Sequence, residues 1–500
     1  MPTFIRCVFR QKMLVRFAIL VAGIAAAVAI FYAEENWRGR RAWGAYRTAA
    51  EKRGVKLFLK DFVPPDIPDS ENYAATPIIR ELFVKKRDGV TATSQLAFPR
   101  ENRPRGSDDL KERRFDPAIW QEFFLKTGLL SEKSDDAARD ILRALEKYEP
   151  LLQKLRDASV RPRCRFPARF DNDQAASTPH LGFWMTAAHP FALRIATFLA
   201  RGNSTAARRE FEQVKRLYSS LSEEPTLIVG LVRLTLLHRL GISAWDGLAA
   251  GQWEDGDLKA LEAHLAGLRV LEDCHFAFAS ERGFVNAGLL DLAKRGLAKI
   301  QEERSVFAFL GADPDVSFRE RMLWHTLPKG WIFHSMVHAN EYFDWFCSRL
   351  EKANDGTGEK ILRSAQSSGD WLREHSLQLG IERFAALSLS ESVGVFESGL
   401  KKYLHAHTRM QEARLACTLE RFRRAKASFP EKLDELVPDF IDAIPRDVFD
   451  AKPLRYRRSI QGGYDLWSIG PDRKDDSGKI DPEEENIDQA DWIWHMPGRP

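Results

Sequence analysis

The hydropathy of this chain changes character at residue 34. Before it, an uncharged apolar run extends from Phe17 to Ala33 (FAILVAGIAAAVAIFYA) and stops at Glu34 and Glu35. As a helix rising 1.5 Å per residue the run spans roughly 26 Å, near the lower limit for crossing a bilayer. Arg6, Arg10, Lys12 and Arg16 precede it, which favours a cytoplasmic N-terminus and puts everything after residue 34 outside the cytoplasm. The following EENWRGRRAWGAYR also carries arginines, so the asymmetry is incomplete. A cleaved signal peptide competes, because Ala27-Val28-Ala29 has small residues at the required spacing. Ile30, Phe31 and Tyr32 continue the apolar run past that point, which favours an uncleaved signal-anchor.

Beyond the anchor the apolar spacing is helical. Trp37, Ala42, Tyr46 and Ala50 predict a helix over residues 34 to 60, broken by Pro64, Pro65 and Pro68. Residues 61–72 (DFVPPDIPDSEN) are expected to be an extended linker, followed by a short helix over 78–86 and a polar surface loop over 99–114. From about 116 to 426, helix periodicity dominates. Ile141, Leu145, Tyr148, Leu152 and Leu155 share one face, with a boundary or kink expected at Pro150. Phe191 to Ala200 is a helix that turns at Gly202-Asn203, with Ser204 placed as the cap of the next. Phe211, Val214, Leu217 and Leu221 line that helix, and Leu227, Leu231, Leu234 and Leu237 line a third. Short turns between helices predict antiparallel neighbours in an irregular bundle or solenoid; no fixed repeat period emerges. The expected fold is mainly α. Its parts are a cytoplasmic tail (1–16), an anchor (17–33), a juxtamembrane helix with linker and loop (34–115), a helical domain (116–400) and a small α+β module with a β-hairpin (401–500).

Composition narrows the function classes only slightly. Seventy-five basic and 71 acidic residues leave a net charge of +4, too small an excess to indicate a nucleic-acid partner. The five cysteines lie far apart without a CxxC pair, which argues against a zinc ribbon, a thioredoxin-like motif or a disulfide scaffold.

Two clusters in the helical region have candidate chemistry. Residues 161–170 (RPRCRFPARF) place arginines between prolines, as an anion-binding loop or a solvated interhelical loop would. His334, His338 and Glu341 fall at i, i+4 and i+7, so on a helix they share a face and form a minimal zinc ligand set. The spacing is not HExxH, and the surrounding Trp331, Phe333, Phe343, Trp345 and Phe346 suit a packed aromatic core equally well. No GxSxG, Walker or GxGxxG motif sits in the required context.

The C-terminal stretch adds a resemblance. A helix over 413–426 carries Leu415, Leu419 and Phe422 on one face and is stopped by Phe429-Pro430. A short helix over 431–437 follows. Residues 454–457 and 464–467 alternate like strands around a Gln461-Gly462-Gly463 turn. Phe429-Pro430, Asp447-Val448-Phe449-Asp450, Tyr464-Asp465 with Ser468, Gly470 and Asp472, and the closing Asp491-Trp492 resemble the C-terminal region of the major pseudopilin of bacterial type II secretion systems. The likeness covers about the last fifth of the chain. It implies a calcium loop, for which Asp472, Asp475, Asp476, Asp488 and Asp491 would be the ligands; a solvated acidic loop accounts for the same residues without a metal. Ala451 stands where that family has glycine, the acidic loop is longer, and the N-terminus lacks the glycine-phenylalanine cleavage site and following glutamate of pilins. The whole chain resembles uncharacterised single-span bacterial envelope proteins. The implied role is an inner-membrane, periplasm-facing binding or scaffold protein with an envelope protein partner. An envelope-polymer or lipid hydrolase, and an accessory docking to pilin-like components, are the alternatives.

Overall fold

The computed structural model describes residues 2–83, 115–167, 178–295, 328–352, 357–366, 383–478 and 491–498. The loop expected over 99–114, along with Arg169 and Asp488, lies outside them. Helix α1 runs without a break from Pro2 to Lys52, about 76 Å at 1.5 Å per residue. Its apolar half is bare: Phe17, Ile19, Leu20, Ile24 and Ile30 are all exposed. Its polar half is docked. Glu35, Gly39, Trp43 and Ala50 are buried on one face, which packs along α12 (Lys329–Leu350).

Two glycines set how closely these helices cross. A Cβ on Gly39 would lie 2.0 Å from the Gly330 carbonyl oxygen, and one on Gly330 would lie 1.9 Å from that of Glu35. Backbone therefore meets backbone, and no side chain fits between. Polar rungs fix the register on both sides of the crossing. Gly330 N donates to Asn36 Oδ1 (2.8 Å) and Trp331 Nε1 to Glu35 Oε2 (2.9 Å). Further along, Asp344 accepts from Tyr46 Oη (2.9 Å) and pairs with Arg53 (2.7 Å) and with Arg282 of α11 (2.8 Å; Val270–Arg295). Trp43, Ala50, Leu57 and Met336 close a small core beneath.

The proline-rich segment after α1 is pinned to the domain. Just before the short helix α2 (Leu59–Phe62), the Leu57 carbonyl accepts from Asn286, which exchanges amide hydrogen bonds with Asn340 (3.2 and 2.6 Å). Asn72 takes the place of a strand neighbour: its side chain accepts from Arg165 N (2.9 Å) and donates to the Arg165 carbonyl (2.9 Å). The short helix α3 (Pro77–Arg80) then leads into a 3₁₀ turn, Glu81–Phe83.

The remaining helices are α4 (Pro117–Lys126), α5 (Ala137–Leu145), α6 (Glu149–Ala158), α7 (Pro179–Ala200), α8 (Ser204–Ser220), α9 (Leu227–Ala250), α10 (Asp255–Ala266), α13 (Gly358–Gln366) and α14 (Arg383–Lys426). Pro150 opens α6, where its missing N–H has no partner to lose. The cap of α8 is Asn203 rather than Ser204, since the Asn203 side chain accepts from Ala206 N (3.0 Å). Helix α9 is apolar enough to cross a membrane, yet 67% of its apolar window is buried. It is the central core helix, packed by α7, α8 and α14. The bundle is thus mainly helical, and α7 and α8, joined by a short turn, pack together.

Helix α14 extends far upstream of the expected 413–426, so the boundary placed between 400 and 401 falls inside it. Ala427, with φ of 62°, turns the chain before Phe429-Pro430. A three-stranded antiparallel sheet follows, in the order β1 (Arg455–Arg458), β2 (Tyr464–Ser468), β3 (Trp492–Met496). The hairpin was legible; β3 adds a third strand to it. Asp447 holds the module together, accepting from Phe449 N, Ile469 N and Ser468 Oγ (each 2.9 Å) and from Arg455 (2.6 Å). The outer edge of β3 is closed by the bundle: Trp245 Nε1 donates to the His495 carbonyl (2.8 Å) and Arg409 to that of Ile493. One apolar core runs from Tyr73 through to Met496.

Three substitutions test the crossing. Gly39→Ala is expected to lower stability by about 1–3 kcal/mol through overpacking, read by thermal melting of the detergent-solubilised chain. Gly44→Ala, on the same helix with nothing within 4 Å of its added Cβ, is expected to be neutral or stabilising by up to about 1 kcal/mol. Asp344→Ala strands Arg282, whose side chain is 5% exposed, and is expected to cost about 3–5 kcal/mol in denaturant titration.

Candidate functional site

His334, His338 and Glu341 do lie on one helix, along the half-buried side of α12. The arrangement is a pair plus an isolated ring. His338 Nδ1 is 3.1 Å from Glu341 Oε2, while the buried His334 Nε2 has no hydrogen-bond partner. Among the described residues, no group of three or more histidine, cysteine or acidic side chains is arranged to hold a metal ion. The zinc reading therefore rests on spacing alone.

The acidic loop shows a mixed geometry. Asp472 and Asp475 are engaged locally: Asp472 Oδ1 accepts from Lys474 N (3.1 Å), and Asp475 Oδ1 from Ser477 N and Trp467 Nε1 (each 3.0 Å). Asp491, immediately before β3, is 6% exposed and accepts from Gly478 N (2.9 Å) through Oδ2. Its Oδ1 is buried without a partner. Burial first, then the nearby charges of Asp475, Asp476 and Asp472, push its carboxyl up to about 6. An orphaned carboxylate oxygen among like charges is the feature here that fits a cation, but the described carboxylates do not converge as a ligand set.

The arginine loop is largely occupied with structure. Arg161 Nη1 donates to the Asn72 carbonyl (3.2 Å); Arg165 donates to the Pro64 carbonyl (2.9 Å) and pairs with Asp66. Both thereby staple the proline-rich linker to the bundle. Arg216 in turn reaches the carbonyls of Arg161 and Arg163. Among the described residues no hydrogen bond or ion pair joins this loop to the α12 histidines, so the two do not form a shared site.

A denser polar cluster lies where α14 meets β3, and spacing could have flagged it. His405, Arg409 and Glu412 stand at i, i+4 and i+7, the same spacing as His334, His338 and Glu341. Arg409 donates to Glu412 (3.0 Å) and to His405 Nε2 (3.3 Å), and Trp492 meets the His405 ring edge-on at 4.9 Å. Burial pushes Glu412 up to about 8 against the pull of Arg409. Burial, then Arg409 and His238, holds the His405 imidazole well below its ordinary range and so neutral. The cluster seats the sheet on the bundle. The buried pair His180 and Glu224 (Nε2 to Oε2, 2.6 Å) is likewise internal, its ring stacked on Phe166 at 4.1 Å. Of the cysteines, Cys274, Cys347 and Cys417 are buried thiols.

No protein-family model, curated protein or solved structure matches this chain.

Asp491 gives a pH test with a definite sign. A carboxyl raised in the folded state stabilises below its unfolded pKa and loses that contribution as pH rises through about 6. Asp491→Asn is therefore expected to be more stable than the wild type above pH 6 in chelator, by about 1–2 kcal/mol, with the difference fading toward pH 4. Melting temperatures across that window check it.

Proposed function

We propose that this chain is a membrane-tethered, non-catalytic helical protein of the bacterial envelope that binds a protein partner on the periplasmic side. The observation that carries the reading is the unbroken passage of α1 from an exposed apolar span into the interior packing of the domain. A catalytic domain on a leash needs only a flexible linker. Here the helix itself is a structural member, and the glycine crossing leaves it no freedom to swing. The polar groups that could have supplied chemistry support the same reading, since Arg161, Arg165, Arg409 and Asp447 hold main chain in place.

Orientation is tested by fusion: alkaline phosphatase joined after Pro500 is expected to be active, and a fluorescent cytoplasmic reporter dark. The binding role is tested by crosslinking intact cells and purifying the full chain beside a version carrying a cleavable signal peptide in place of residues 1–33. A partner captured reproducibly by the tethered chain and lost by the released domain is expected. Capture of no reproducible partner overturns the reading.

A further inference from the structure

Helix α1 leaves its apolar run with one face committed to the domain and the opposite face bare. Trp37, Arg40, Arg41 and Gly44 lie on that outer face at i, i+3, i+4 and i+7, and all are exposed, Trp37 at 58%. The Arg41 guanidinium sits over the Trp37 ring, 5.1 Å from its centroid. Helical side chains lean toward the N-terminus of their helix, which here is the direction of the apolar span, and the Arg41–Trp37 stack displays that lean. Arg38 is different. It is held by Glu35 at 2.7 Å, and Glu35 is also bonded by Trp331, so this pair is internally neutral. On the domain side, Lys329 is exposed at the start of α12, beside the contact of Gly330 with Asn36. Arg40, Arg41 and Lys329 have no carboxylate partner among the described residues. Glu34, one turn nearer the span, is an exposed counter-charge.

These residues fall within the turns just past the apolar run, the depth at which phospholipid headgroups lie and at which tryptophan is favoured. We infer that Trp37, Arg40, Arg41 and Lys329 form a collar that binds the phosphates of anionic phospholipids in the leaflet from which α1 emerges. The tryptophan ring sits at the boundary, and the stacked guanidinium keeps its N–H edge free for phosphate oxygens. Because α1 cannot swing on the domain, lipid held at the collar also sets how the domain stands on the bilayer. The collar rests on α1 spanning a membrane, which is part of the function proposed above.

The test uses the full chain reconstituted in phosphatidylcholine nanodiscs with and without phosphatidylglycerol. Lipid retained after extraction is counted by native mass spectrometry. The wild type is expected to retain phosphatidylglycerol in preference to phosphatidylcholine. Arg40→Gln/Arg41→Gln is expected to lower that preference about fivefold for each charge removed, following roughly 1 kcal/mol per basic residue at an anionic surface, with melting temperature unchanged. Lys329→Gln, on the other helix, is expected to reproduce part of the loss. Arg47→Gln, which removes a residue already paired with Glu51, is expected to leave it intact. Undiminished preference in both collar variants overturns the inference. So does displacement of the lipid by millimolar inorganic phosphate, which marks a phosphate site rather than a lipid surface. A chain that fails to enter nanodiscs at all refutes the membrane reading instead, and shows before any lipid is counted.

Discussion

The contact between Gly39 and Gly330 governs how the molecule is put together. A bilayer-length helix can be attached to a folded domain through a loose linker, and then the two move independently. In this chain the two backbones approach too closely for any side chain to intervene. Hydrogen bonds from Gly330 N to Asn36 and from Trp331 to Glu35 lock the crossing on the side of the apolar run. Asp344 locks it on the far side, through Tyr46, Arg53 and Arg282. Removing Asp344 would leave a buried guanidinium unpaired, which is why these polar groups matter more to stability than their number suggests.

From that crossing the order of packing follows. Helix α12 rests on α11, and both border the core that α9 and α14 share. Among the described residues two helices are apolar enough for a membrane, and their surroundings separate them. The apolar face of α1 is exposed all round, whereas α9 is enclosed by α7, α8, α11 and α14. The C-terminal sheet is part of the same body. Its β3 edge would be open to pairing with another chain, but Arg409 and Trp245 occupy its carbonyls.

Much of this was readable from residues alone, and the shortfalls have physical causes. The apolar run, the helix faces and the Gly462 turn follow from local periodicity and backbone preference, so the apolar N-terminal helix, the bundle and the hairpin were legible. Strand β3 was written in the sequence as alternating Trp492, Trp494 and Met496, all buried, but its partner β2 is distant along the chain. The cap at Asn203 was missed by one residue because asparagine and serine cap equally well. The glycine crossing could not be read, since nothing local says that Gly39 will meet Gly330. The candidate sites show the limit most clearly. His334-His338-Glu341 and His405-Arg409-Glu412 have the same spacing, and only the surroundings reveal that the second seats a sheet. The acidic loop brought Asp472, Asp475, Asp476 and Asp491 within electrostatic reach, as the grouping in sequence suggested, without converging them.

The central claim is that the apolar N-terminal helix and the domain are one rigid body. Spin labels at Leu20→Cys on the exposed span and Ser348→Cys on α12, on a background with Cys7 and Cys164 changed to serine, measure it directly by electron double resonance in nanodiscs. The account predicts a single distance distribution only a few ångströms wide, beyond the spread of the labels themselves. A broad or multi-peaked distribution would contradict it, because the helix would then be hinged where the structure makes it continuous.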